Sequence, residues 1–176
     1  QTANGSSETF EGTREAVRLA MEAGVVIVSA AGNAGVELVE EALDDTGSVI
    51  VGALAQDESQ IYFSNYGDRI TVGAFGENLL TLEGPDGRLG SFGGTSGATP
   101  QVAAAVAMML EVNPALTPLQ VKDILESTSL QTEENRNVGG MVNIVEAIKV
   151  ASETEGEKGI EAQIFRQRVA EILTSK

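Results

Sequence analysis

The chain has 176 residues, 42% of them hydrophobic, with 26 acidic and 11 basic residues and a formal net charge of −15. Length and apolar content suit one domain with a real core rather than a disordered chain. The negative surface repels nucleic acid and anionic membrane, so neither is an expected partner. Cysteine is absent, which excludes disulfides and leaves the redox compartment open. The longest strongly apolar run, Val102 to Leu110, falls short of the roughly 20 residues a membrane span needs. The sequence starts at Gln1 and displays no signal peptide, so a processed or excised piece of a longer protein is expected.

Gln1 to Glu8 is polar and reads as a loop. From Thr13 to Ala23, Ala16, Val17, Ala20 and Met21 recur at helical spacing, with Arg14, Glu15, Arg18 and Glu22 opposite; this predicts an amphipathic helix, closed by Gly24. Val25 to Ser29 is short, apolar and β-branched, the pattern of a strand buried on both faces. Gly32-Asn33-Ala34-Gly35 opens a loop at its end. Val36 to Leu43 is expected to form a short helix and Val49 to Leu54 a second buried strand, the rhythm of a parallel α/β sheet. Ile70 to Ala74 and Leu79 to Glu83 read as strands, and the turn chemistry of Gly84-Pro85-Asp86-Gly87 folds Leu79 to Phe92 into a hairpin. No residue from Leu89 to Leu110 is charged, so a helix from about Ser96 to Glu111 is expected to be enclosed by protein. Thr117, Pro118 and Gln120 spell a capping box, with Leu116 and Val121 at staple positions. Asn143 with Glu146 suggests a similar start for a helix through Lys149 and Val150. Residues 1–150 thus form the domain. Residues 151–159, charged and glycine-containing, read as a linker, and residues 160–176 as an appended amphipathic helix that packs on the domain or docks to a partner.

The chemistry concentrates in Gly94-Thr95-Ser96-Gly97-Ala98-Thr99-Pro100. A serine stands between small residues at the start of the uncharged helix. The glycines let a substrate backbone come close, and the helix start offers N–H groups to a developing oxyanion. Pro100 is expected in the first turn, where its missing N–H costs little. A serine becomes a useful nucleophile only beside a general base, and the chain contains no histidine. Asn33 lies just past the end of a buried strand, where open α/β sheets place ligands. A tetrahedral intermediate needs two donors at its oxyanion, so Ser96 and Asn33 together specify acyl transfer if they face one carbonyl. The plainer readings are a small residue for close packing at Ser96 and a turn asparagine at Asn33. Acidic pairs such as Asp44-Asp45 match no defined calcium loop. No metal site is therefore assigned and no cofactor is required, while a structural calcium ion stays open.

Gly94-Thr95-Ser96-Gly97-Ala98-Thr99-Pro100 resembles the serine motif of the subtilisin-like serine peptidases. Val25-Val26-Ile27-Val28-Ser29-Ala30-Ala31-Gly32-Asn33 resembles that family's strand leading to its oxyanion-hole asparagine. Val49 to Ala53, Phe63-Ser64-Asn65-Tyr66-Gly67, Asn113-Pro114 with Leu116-Thr117, and Gly139 to Ala147 follow in the family's order. The resemblance implies a three-layer α/β fold with a mostly parallel sheet, here its C-terminal portion. It implies Ser96 as nucleophile and Asn33 as oxyanion-hole side chain. Ala30, Ala31 and Gly32 would form one wall of the pocket for the residue before the scissile bond, with Thr95 also on the substrate-binding side. The family's aspartate and histidine motifs precede the region covered here. The implied partners are accordingly a separate N-terminal part carrying both residues and a peptide or protein substrate. An extracellular or cell-envelope setting goes with the resemblance. Departures are Gln101, where histidine is common, and Gly73-Ala74-Phe75-Gly76, which replaces a proline-containing turn. The acidic loop Glu40 to Asp45 near the pocket base would favour a basic substrate residue or simply be a solvated face. A non-catalytic peptide-binding member of the fold fits the missing histidine. A serine–carboxyl peptidase fits less well, because Asn33 stands where those relatives tend to carry aspartate.

Overall fold

A computed structural model of the chain describes residues 10–38, 45–132 and 136–156. The centre is strand β2 (Val49–Leu54), buried at all six positions. It pairs in parallel with β1 (Val28–Ala30), Val28 opposite Val49, and with β3 (Val72–Phe75), Val51 opposite Val72, for a strand order β1-β2-β3. Alternation along β2 sends Val49, Val51 and Ala53 into the main core and Ile50 to the opposite face, where it meets Ala31, Leu38 and Ile70. Helices α2 (Thr95–Val112), α3 (Pro118–Thr128) and α4 (Ile144–Glu153) close the main core through Val102, Met109, Val121, Leu125 and Ala147. Helix α1 (Glu11–Glu22) precedes the sheet and buries Val17 and Met21. The result is the expected α/β class with a parallel sheet, and a separate antiparallel hairpin of β4 (Leu79–Glu83) and β5 (Arg88–Phe92).

Local signals act where they were read. The Gln120 N–H donates to Thr117 Oγ1 at 3.2 Å and the Thr117 N–H to Gln120 Oε1 at 2.9 Å, with Pro118 at the first helical position. The Glu146 N–H donates to Asn143 Oδ1 at 3.1 Å and starts α4.

Elsewhere tertiary contacts overrule local pattern. Residues 36–38 are extended rather than helical: the Tyr66 N–H donates to the Val36 carbonyl at 3.1 Å and the Leu38 N–H to the Tyr66 carbonyl at 2.6 Å. Residues 39–43, the remainder of that expected helix, lie outside the described residues. The third strand is displaced to Val72–Phe75, because register with Val51 begins only at Val72. Pro100 is the sixth residue of α2, not part of its first turn, since the helix starts at Thr95. It thereby removes the N–H that would close onto the Ser96 carbonyl. Helix α4 continues to Glu153 with Ala151 fully buried, so the expected linker does not begin at Ala151. The expected helix over residues 160–176 lies outside the described residues.

Two departures share one cause. The apolar run Val25 to Ile27 is not buried on both faces; β1 has no partner on its outer side among the described residues, and Val25 is 42% exposed. Nor is α2 enclosed: Ala103, Ala104, Ala107, Met108 and Val112 are exposed on one face. These surfaces meet in an open, mainly apolar groove of about 400 Å³ lined by Val25, Val26, Val28, Ala103, Ala107 and Leu110, among others. An apolar strand edge beside an apolar helix face is the pattern of a core lacking part of its cover.

Candidate active site

Asn33 and Ser96 come from different layers, one from the sheet and one from a helix packed on it. The loop after β1 carries Asn33, and the N-terminus of α2 carries Ser96. The Asn33 carboxamide oxygen accepts from the Thr95 N–H at 2.9 Å and from Thr95 Oγ1 at 3.0 Å. Two donors on one atom identify it as the oxygen and fix the orientation of the amide. Its Nδ2 is then a donor without a partner among the described residues, on an exposed residue whose amide is held one position from the serine. Ser96 is half-buried in the first turn of α2. The structure therefore brings the two residues to one locality.

Glycines shape this locality. Gly94 precedes α2 with φ 75° and ψ 179°, backbone that only glycine adopts readily. A Cβ there would sit 3.2 Å from Asn33 Nδ2, so the same glycine makes room for the amide. The Gly94 N–H donates to the Gly76 carbonyl at 2.6 Å, tying the approach to the serine to the end of β3. Gln101, one turn along α2, strengthens that tie: its Nε2 donates to the Phe75 carbonyl at 2.6 Å and to the Gly97 carbonyl at 2.9 Å. On the other side, Leu79 and Phe92 of the hairpin press against Gly97, where a Cβ would meet Leu79 Cδ1 at 2.7 Å.

The remaining expected site residues are placed differently. Thr95 is fully buried, and its hydroxyl accepts from the Gly32 N–H at 3.2 Å while donating to Asn33. Its side chain supports Asn33 from behind rather than facing a substrate. Ala31 is also fully buried and belongs to the small cluster with Leu38, Ile50 and Ile70, so it presents no pocket wall. Gly32 is buried, with its N–H on Thr95 and its carbonyl accepting from the Asn65 N–H at 3.0 Å. Of the three wall residues only Ala30, at the end of β1, is half-exposed.

A residue with no assigned role in the sequence reading stands behind the whole loop. Asn65 is fully buried; its Nδ2 donates to the Ala31 carbonyl at 2.9 Å, and its Oδ1 accepts from the N–H groups of Ala34 at 3.1 Å and Val36 at 3.0 Å. Its partners lie about thirty positions away; only its place in a family-like block marked it.

The segment that carries Ser96 contributes no charge, since no residue from Leu89 to Leu110 is charged. The described charge cluster lies elsewhere. Asp45 pairs with the buried Arg69 at 2.9 Å and with Lys122 at 2.8 Å. Burial pushes its carboxyl upward, but hydrogen bonds from Lys122 and the Gly47 N–H, with the charges of Arg69 and Lys122, outweigh it and hold the pKa below the ordinary 3.8. The end of the acidic loop is thus committed to its own protein. Among the described residues no group of three or more histidine, cysteine, aspartate or glutamate side chains is arranged to hold a metal ion, and no helix is long and apolar enough to cross a membrane.

A nucleophile candidate at a helix start, with an oriented carboxamide from the end of a parallel strand beside it, is a hydrolase-type arrangement. The subtilase family matches residues 2–153 of the chain, and the chain belongs to that family. It is 31% identical over 140 residues to Subtilisin BL of Lederbergia lenta, which covers 79% of this chain and 52% of the relative. It is 34% identical over 130 residues to Subtilisin NAT of Bacillus subtilis subsp. natto, covering 71% of this chain and 34% of the relative. Among solved structures it resembles a protease from Pseudoalteromonas arctica PAMC 21717, with a TM-score of 0.74 and 28% identity over 84% of this chain and 49% of the other. The chain spans about half the length of Subtilisin BL, or less for other relatives it matches.

Proposed function

We propose that this chain supplies the nucleophile and oxyanion side of a serine endopeptidase, and that an N-terminal part outside this sequence supplies the histidine base and the aspartate that orients it. Ser96 Oγ attacks the scissile carbonyl, the histidine takes its proton, and the Ser96 N–H and Asn33 Nδ2 receive the oxyanion. The observation that carries this reading is the double hold of Thr95 on the Asn33 oxygen, which leaves Nδ2 unengaged one residue from the serine. A donor preset in this way costs no reorganisation when charge develops.

The open groove between β1 and α2 supports the two-part arrangement, because an added strand and helix would cover the same apolar surface. The substrate is a peptide or protein chain running extended beside the end of β1, with Ala30 at its pocket. The reaction requires no cofactor. Alone the chain does not hydrolyse peptides, since a triad without its base retains only residual catalysis. An extracellular or cell-envelope location goes with this reading.

A fluorophosphonate probe applied to the assembled two-part protein tests the proposal. Labelling at Ser96, lost in Ser96→Ala, is expected. The missing histidine favours a second reading, a non-catalytic peptide-binding scaffold. An assembly that binds peptide without labelling or turnover would establish that reading instead.

A further inference from the structure

The loop that carries Asn33 has little holding it from within. Gly32 and Gly35 both have positive φ, 104° and 65°. The backbone of Asn33 itself makes no hydrogen bond among the described residues, and its side chain is exposed. Fixing it falls to its neighbours. The Asn65 side chain takes the Ala31 carbonyl on one side of Asn33 and the Ala34 and Val36 N–H groups on the other, and the Asn65 N–H takes the Gly32 carbonyl. Four hydrogen bonds from one buried residue thus bracket Asn33 without touching it. Each of the side chain's three bonds to this loop is matched in polarity: the amide hydrogen meets a carbonyl, and the amide oxygen meets two N–H groups.

We infer that Asn65 is a positioning residue for Asn33, holding residues 31–36 so that the Asn33 amide stays aimed at the oxyanion. The inference rests on the proposed role of Asn33. Thr95 fixes the amide about its own oxygen, and Asn65 fixes the backbone from which that amide projects. Backbone bonds between 35–38 and 63–66 are independent of the Asn65 side chain: the Gly35 N–H reaches the Phe63 carbonyl at 2.8 Å, and Tyr66 bonds Val36 and Leu38. They keep the two segments together when that side chain is altered. Removing it therefore loosens 31–36 selectively.

The test is a double-mutant cycle in the assembled peptidase, with amide hydrogen exchange on the same proteins. Asn65→Ala is expected to lower kcat by about ten- to a hundredfold with little change in KM, below the roughly 10²–10³-fold loss expected of Asn33→Ala. The double variant is expected to match Asn33→Ala alone, because a positioning effect vanishes once the positioned group is gone. Exchange at Ala34 and Val36 is expected to accelerate in Asn65→Ala, while β2 amides stay protected. Losses that multiply in the double variant, or unchanged exchange at Ala34 and Val36, would overturn the inference. If Asn65→Ala does not fold, Asn65→Asp, which keeps both acceptor bonds and loses the donor to Ala31, takes its place in the kinetic cycle alone, where a reduced kcat that vanishes in the double variant is expected and losses that multiply would overturn the inference. Failure of the underlying reading is seen separately, as an Asn33→Ala enzyme with undiminished kcat.

Discussion

Thr95→Val removes one hydroxyl and keeps the shape of the side chain, which makes it the sharpest probe of how Asn33 is aimed. The hydroxyl is fully buried and has two partners, the Gly32 N–H at 3.2 Å and the Asn33 oxygen at 3.0 Å. Valine leaves the buried Gly32 N–H unsatisfied, at a cost of about 1–3 kcal/mol, and deletes one of the two bonds to the Asn33 oxygen, worth about 1 kcal/mol. A total of about 2–4 kcal/mol is expected from denaturant unfolding of the assembled protein. Only the Asn33 share reaches catalysis. With one hold in place of two the amide wanders, and kcat is expected to fall by about tenfold with KM little changed, short of the roughly 10²–10³-fold loss of an oxyanion donor. Thr95→Ser keeps both hydrogen bonds, loses one methyl at a cost of about 1 kcal/mol, and is expected to stay within about threefold in kcat. Turnover of a chromogenic peptide by the three variants decides the matter. A Thr95→Val enzyme with wild-type kcat beside an impaired Asn33→Ala enzyme would refute the claim that Thr95 aims the amide.

Other perturbations reach other parts of the same account. Gly94→Ala places a Cβ at a positive φ and 3.2 Å from Asn33 Nδ2, so both a stability loss of about 2 kcal/mol, seen in thermal unfolding, and a drop in kcat are expected. Ala107→Glu puts a charge on the exposed α2 face that lines the groove; copurification with the N-terminal part should be lost, while the chain alone should aggregate less in light scattering. Asp45→Asn removes one ion-pair partner of the buried Arg69 and is expected to cost about 1 kcal/mol at neutral pH. Because the folded pKa of Asp45 lies below its ordinary 3.8, its stabilisation is full above that value and fades as pH falls through the lower folded value. Stability curves of wild type and Asp45→Asn should therefore converge below about pH 4.

What the sequence allowed to be read is what short-range physics decides. The Thr117–Gln120 box, the apolar β-branched run of β2 and the turn at Gly84 to Gly87 each contain their own cause, and each forms as expected. Ser96 and Asn33 are singled out by the family resemblance of their ordered blocks, and the first turn of α2 does meet the Asn33 side chain. The rest depended on contacts between distant segments. Residues 36–38 have no helix-breaking residue, yet Tyr66 draws them into an extended bridge. The resemblance implies Thr95 on the substrate-binding side, whereas the first turn of α2 directs its side chain onto Gly32 and Asn33. Asn65 carried no local sign of its work, since its side-chain bonds all close across about thirty residues. The charge-free stretch through α2 predicts an enclosed helix, whereas one face carrying Ala103, Ala107 and Met108 is exposed among the described residues.

The convergence of Ser96 and Asn33 on one oxygen is tested most directly by a crystal structure of the assembled protein with a phosphonate bound covalently to Ser96 Oγ. The phosphonyl oxygen is expected within about 3 Å of both Asn33 Nδ2 and the Ser96 N–H. An adduct whose oxygen points away from Asn33, with the carboxamide still held by Thr95, would contradict the account.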